Sequence, residues 1–104
     1  MVTRGEIWLV NLELGSKIRK SRPCVVVSPP EMHDHLRTVI VAPMTTKSRA
    51  APLRVAVTHG GQKGWILLDQ LPAVEKVRLA KRLGAVSAKT LTSTLSTLQE
   101  VFAE

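Results

Sequence analysis

The sequence predicts a mainly β (α+β) protein: a curled, mostly antiparallel sheet or small barrel plugged by a C-terminal helix. Three observations predict it. Short apolar, β-branched runs recur along the chain, each bounded by Gly, Pro or polar residues. Helical periodicity is clear only near the end, where Leu91, Leu95, Leu98 and Phe102 fall at spacings of four, three and four. The chain has 104 residues, 44% of them hydrophobic and 22% charged, which favours a single packed domain over 1–104 and argues against disorder.

The elements follow in order. Residues 6–12, Glu-Ile-Trp-Leu-Val-Asn-Leu, form a first strand, and residues 13–21 a polar, basic loop containing Gly15. A second strand runs from Arg22 to Val27, with Pro23 near its first position, where a missing N–H is tolerated. Ser28-Pro29-Pro30-Glu31 has the form of a helix start, with a serine cap, proline at the first helical position and glutamate three residues after the cap. That helix is short, because the strand-like run Thr38–Ala42 follows soon after, closed by Pro43. Residues 53–57 alternate as a half-exposed strand does, and His59–Gly64 is a turn matching neither GxGxxG nor GxxxxGK[ST]. Trp65–Leu71 is another buried run, while Val74–Leu83 admits one or two short strands or a helical turn. Ser87 caps the terminal helix, whose Thr- and Ser-rich middle requires packing rather than propensity to hold it. The expectation is five to seven strands, a small helix after the second, and the terminal helix.

Charge and composition narrow the chemistry. The formal charge of +7 favours acidic partners such as nucleic acid, an anionic surface or an acidic protein. Aromatics are only Trp8, Trp65 and Phe102, too few for a large base-stacking platform. No apolar stretch approaches a membrane span, and Arg4, Gly5 and Glu6 interrupt any signal-like start. The single cysteine, Cys24, lies in a valine run and reads as a buried small hydrophobe, in keeping with a reducing compartment and a cytoplasmic location. His33 and His35 flank Asp34, but without a Cys pair and at a spacing that splits them between helix faces they do not make a metal site. No serine sits in a GxSxG elbow, and the acids are few and scattered.

Basic groups and hydroxyls remain. Lys17, Arg19, Lys20 and Arg22 occupy one loop and its exit, and Lys47 and Arg49 another, beside Thr45, Thr46 and Ser48. If the second and third strands pair antiparallel, Arg22 and Thr45 come to the same sheet edge. A guanidinium on stiff backbone offers a planar fork that matches a phosphate, and a converging hydroxyl with lysines around it suits a phosphodiester. An ordinary solvated basic edge with turn threonines accounts for the same residues.

Four blocks carry a resemblance. Residues 4–12 (Arg-Gly-Glu-Ile-Trp-Leu-Val-Asn-Leu), 21–29 (Ser-Arg-Pro-Cys-Val-Val-Val-Ser-Pro), 41–46 (Val-Ala-Pro-Met-Thr-Thr) and 64–70 (Gly-Trp-Ile-Leu-Leu-Asp-Gln) resemble the MazF/PemK/Kid toxins in order and spacing. The resemblance implies an SH3-like barrel of the CcdB/MazF type with a terminal helix, assembled as a homodimer. It implies a metal-independent endoribonuclease without cofactors that cuts single-stranded RNA at short sequences and is neutralised by an acidic antitoxin. The family's arginine before proline corresponds to Arg22, its strand-end threonine to Thr45, and an aspartate active in some members to Asp69. Lys17, Arg19, Lys20, Thr46, Lys47 and Arg49 are the expected RNA contacts.

Two departures from the family stand out. The loop before Arg22 is short and wholly basic, and the arginine found two residues before the aspartate in some members is Leu67 here. The implied reaction is attack of a ribose 2′-OH on its 3′-phosphate. Arg22 and Thr45 would stabilise the developing charge, and Asp69 is the candidate base. The same fold also serves CcdB-type toxins, which bind DNA gyrase without cutting anything, and a catalytically weakened RNA-binding relative is a further alternative.

Overall fold

Among the described residues, 2–14 and 18–103 of the computed structural model, seven strands and two α-helices alternate along the chain. They are β1 (Glu6–Leu14), β2 (Ile18–Val26), α1 (Pro30–His35), β3 (Thr38–Thr45), β4 (Arg54–His59), β5 (Gln62–Leu67), β6 (Ala73–Glu75), β7 (Leu79–Ala85) and α2 (Ala88–Val101), with a turn of 3-10 helix at Lys76–Arg78. All pairings are antiparallel, in the order β4-β5-β3-β2-β1-β7, and β6 also pairs with β3. The result is a curled, half-barrel sheet closed by one C-terminal helix.

The valine run that signals β2 is buried on both faces. Val25 and Val27 join Ile7, Ala42, Met44, Val57, Ile66 and Leu68 in one cluster, against which Leu98 of α2 and Val86 pack. Cys24 and Val26 point the other way, to Val10, Val39, Val41 and Val74, covered by Trp8, Leu12 and Leu79. Burial on both faces is why this stretch shows no alternation. Cys24 is fully buried, and that burial pushes its thiol up to about 12 despite the nearby Arg22, so it is an inert core residue.

Several elements depart from expectation. The hairpin is longer than expected: β2 begins at Ile18, so residues expected in a loop pair with β1, Glu13 opposite Arg19 and Leu14 opposite Ile18. Backbone pairing can continue beyond the core where no apolar period marks it. Ser28 does not cap α1. The cap position is Pro29, and the Ser28 hydroxyl instead accepts the Ile40 N–H at 3.0 Å and bonds His33 Nε2 at 2.7 Å. Pro43 does not end β3 but lies buried inside it, between the stretch that pairs with β6 (Thr38–Ile40) and the stretch that pairs with β5 (Met44–Thr45). Its lost donor falls in the gap between the two neighbours.

The turn between β4 and β5 contracts to two residues, Gly60 and Gly61, with φ of 60° and 78°, a primed hairpin turn that glycine adopts without strain. β4 and β5 therefore reach to His59 and Gln62. Both alternatives for Val74–Leu83 are realised in part, as β6, the 3-10 turn and the start of β7. Ser87 caps α2 as expected, accepting the Thr90 N–H at 3.1 Å. Phe102, expected on the buried face, lies past the helix end and is 75% exposed. Among the described residues no helix is long and apolar enough to cross a membrane.

Candidate active site

β2 and β3 pair with Val26 opposite Val41, Val25 opposite Ala42 and Cys24 opposite Pro43. Carried two residues on, this register sets Arg22 opposite Thr45, so the sequence expectation of a shared edge is met by the topology. Proline has a particular place in it. Val27 donates its N–H to the Ile40 carbonyl at 3.0 Å, and donors face the same neighbour at every second residue of a strand. Position 23 is thus a residue whose N–H would face the Met44 carbonyl, and proline has none. Arg22 Nη2 donates to that carbonyl instead, at 3.4 Å. Pro23 leaves an acceptor open, and the guanidinium anchors on it with one edge while its other donors remain for a ligand.

Thr45 is held from two sides. Its Oγ1 accepts the Lys47 N–H at 3.1 Å, which fixes the side chain and leaves the hydroxyl proton to donate elsewhere. On the opposite edge Thr45 pairs with Trp65, next to Gly64. A Cβ on Gly64 would lie 2.6 Å from the Thr45 carbonyl oxygen, closer than atoms can approach. Glycine at 64 is therefore what lets β5 lie this close to the strand end carrying the hydroxyl.

Arg22 and Thr45 open onto one cleft of ≈ 460 Å³, within the range of small-ligand sites. Lys20, Thr46 and Lys47 line it with them, over a floor that includes Pro23, Met44 and Val57. The charges among these lining residues are all positive. His59 and Gln62 complete the wall from the ends of β4 and β5, where they pair across the glycine turn.

Of the sequence-predicted residues, the fold thus brings together Arg22, Thr45, Lys20, Thr46 and Lys47. Lys17 lies outside the described residues, and Arg19 sits in β2 opposite Glu13. Arg49 is exposed in the loop after β3 and is not among the lining residues. Asp69 does not reach the cleft either. It follows β5 at the end away from Gly64 and pairs with Arg54, Nη2 to Oδ2, at 3.7 Å. Arg54 also donates to the Ser48 hydroxyl, tying the loop after β3 to β4.

Sequence reasoning missed His59, Gln62 and Gly64, all assigned to a turn. A signal was available for His59. Val55, Val57 and His59 continue one period-two face, and the structure buries that face more than Ala56 and Thr58.

A family model for the PemK-like, MazF-like toxin of type II toxin-antitoxin systems matches residues 3–102. No curated protein sequence matches the chain. Among solved structures, an endoribonuclease in complex with its cognate antitoxin from a mycobacterial species superposes with a TM-score of 0.82 at 24% identity, covering 96% of this chain and 93% of that one. The MazE-MazF complex (Form-III) from Deinococcus radiodurans gives 0.82 at 20% identity, over 96% and 94% of the two chains. The Mycobacterium tuberculosis toxin MazF-mt6 gives 0.77 at 22%, over 93% and 95%. Likeness at these identities establishes the fold.

Proposed function

The chain belongs to the PemK-like, MazF-like toxin family of type II toxin-antitoxin systems, and from that premise we propose that it is a sequence-specific endoribonuclease acting on single-stranded RNA. The observation that carries this reading is the convergence of Arg22, Thr45, Lys20 and Lys47 on one cleft. The 2′-oxygen attacks the adjacent 3′-phosphorus, the P–O5′ bond breaks, and the products are a 2′,3′-cyclic phosphate and a 5′-hydroxyl. Negative charge gathers on the nonbridging oxygens, where Arg22 donates from its free edge and Thr45 from its hydroxyl. Arg22 is a poor proton donor, because guanidinium does not release its proton near neutrality, so its part is electrostatic. Lys20 and Lys47 hold the flanking phosphates, and cations fixed in the cleft supply the charge stabilisation without a metal.

The mycobacterial endoribonuclease above is in complex with its cognate antitoxin, and the Deinococcus radiodurans structure above is a MazE-MazF complex. An acidic antitoxin segment fits the same cation-lined cleft and is the proposed inhibitor of this chain. The assembly proposed is a two-fold homodimer with one cleft per subunit, working in the cytoplasm. The test is to incubate the purified protein with a long RNA, with and without EDTA, and map the new 5′ ends. Cuts at one short sequence, unaffected by EDTA and leaving 5′-hydroxyls, are expected. Intact RNA, or 5′-phosphate ends, overturns the reading.

A further inference from the structure

We propose that His59 is a catalytic residue of this cleft, its imidazole taking the proton from the attacking 2′-hydroxyl. The proposal rests on the ribonuclease reading above and adds a group that neither composition nor the family-derived assignments supplied.

The observations are geometric. His59 ends β4 and lines the same cleft as Arg22 and Thr45, on the wall facing β2 and the end of β3. Its ring is half-buried and packs toward β7, where a Cβ on Gly84 would lie 3.4 Å from its Cε1. Gly84, with φ of 147°, adopts a backbone conformation that favours glycine, and the ring lies at contact distance from it. Among the described residues no hydrogen bond holds either ring nitrogen, in contrast to His33, whose nitrogens are both engaged.

Among the described lining residues, His59 is the only imidazole. None of these described residues carries a carboxylate, and Asp69 is paired with Arg54 elsewhere. Among the described residues, the charged groups lining the cleft with His59 are the cations Lys20 and Arg22 of β2 and Lys47 after β3. Gln62 of β5 and Gly84 of β7 bring no charge. Imidazole is the side chain whose ordinary titration spans neutrality, which suits it to accept a proton beside such cations.

The step balances with water as the only co-reactant. The 2′-oxygen forms its bond to phosphorus as its proton passes to an imidazole nitrogen. The P–O5′ bond breaks, the departing 5′-oxygen takes a proton from bulk water, and the imidazolium returns its own to solvent.

The experiment compares wild type with His59→Gln and His59→Ala on a short RNA carrying the mapped cleavage site. Melting temperature and KM serve as controls. A fall in kcat of roughly 10²-fold or more, with KM and melting temperature nearly unchanged, is expected for both variants. The acidic limb of the kcat–pH profile disappears with His59, and added imidazole restores cleavage to His59→Ala. A substrate with sulfur at the 5′ bridging position, which leaves without protonation, should be cut as slowly by His59→Gln as the oxygen substrate is, relative to wild type. If sulfur restores His59→Gln to the wild-type rate, the imidazole serves the leaving group and the base assignment is overturned. Wild-type kcat and pH profile in both variants overturn the proposal while leaving the ribonuclease reading standing. A wild-type protein that cuts no RNA overturns both.

Discussion

Beneath α1, Ser28 and His33 are 2% and 6% exposed, and their hydrogen-bonding capacity is spent inside the protein. His33 Nδ1 donates to the Val2 carbonyl at 3.1 Å, its Nε2 shares a hydrogen bond with the Ser28 hydroxyl at 2.7 Å, and Ser28 Oγ accepts the Ile40 N–H at 3.0 Å. A carbonyl can only accept, so Nδ1 is a donor here, and both ring nitrogens are engaged within the fold. The cleft uses the same residue types differently. Thr45 accepts one backbone N–H and keeps its proton, and Arg22 gives one donor to Met44. The His59 ring lines the opening with both nitrogens free of described partners. The comparison teaches that donors left over after folding, rather than the kind of residue, separate a polar node that holds structure from one that can act on a ligand.

The largest effect that tests this contrast falls on Arg22. Replacing it with alanine should lower the single-turnover cleavage rate by roughly 10²–10³ while the thermal melt hardly moves, because it gives the fold only one long bond, to Met44, and keeps its other donors for the ligand. Arg22→Lys should recover little, since a point charge cannot both hold the Met44 carbonyl and grip a phosphate as a fork. Equal rates for wild type and Arg22→Ala would place the chemistry elsewhere.

Ser28→Ala should do the reverse. It strands the Ile40 N–H and the His33 Nε2 in the interior, so urea denaturation should show a loss of about 1–3 kcal/mol. The folded fraction should cut RNA at the wild-type rate. A variant as stable as wild type but slow in cleavage would dissolve the distinction between the two sites.

What could be read from the chain follows the same division. The strands and the terminal helix were legible because burial writes itself into the apolar pattern, as an unbroken run at Val25–Val27 and as a helical period over Leu91–Leu98. The meeting of Arg22 and Thr45 was legible because antiparallel order alone requires it. Ser28 was misread because its local pattern is that of a cap, while its real partners, Ile40 and His33, are supplied by tertiary structure. Pro43 looked like a strand end because a sheet strand that changes neighbours leaves no mark in composition. Phe102 kept the helical spacing, but the helix ends at Val101 and Phe102 stands past it, exposed. His59 was hidden by the glycines beside it, which suggest a turn longer than the two residues that form it.

A smaller effect sharpens the cleft side of the contrast. Thr45→Val keeps the shape and removes one neutral donor, so turnover should fall roughly tenfold, equivalent to ~1.4 kcal/mol of barrier, with little change in RNA affinity. Affinity itself belongs to the cations. A filter-binding series should show log affinity falling with log salt at about −0.7 per phosphate neutralised, and less steeply in Lys20→Gln and Lys47→Gln. Thr45→Val turning over at the wild-type rate would reduce the hydroxyl to a brace for Lys47.

The smallest expected effect concerns a polar cluster that is charged and also fully engaged. Glu6 Oε2 accepts from Arg82 Nε at 2.6 Å, joining β1 to β7, while its Oε1 accepts the Thr3 N–H at 2.6 Å and Trp8 Nε1 at 3.3 Å. Partial burial pushes the carboxyl pKa up, but the Thr3, Arg82 and Trp8 hydrogen bonds and the Arg82 charge together outweigh it, leaving it below the ordinary glutamate range. The folded state therefore keeps this group ionised where the unfolded chain is already protonated. Its contribution is present above the ordinary glutamate titration and is lost as pH falls through the lowered value. The pair is near the surface, so the effect should be about 0.5 kcal/mol. Glu6→Gln should accordingly be slightly less stable than wild type at pH 7, the two denaturation curves converging as pH falls below the glutamate range. Its kcat–pH profile should overlay that of wild type, because an engaged cluster answers pH through stability and the cleft answers it through rate. A displaced rate profile in Glu6→Gln would mean that the β1–β7 edge is coupled to His59 through Gly84, and the two kinds of site could then no longer be treated as independent.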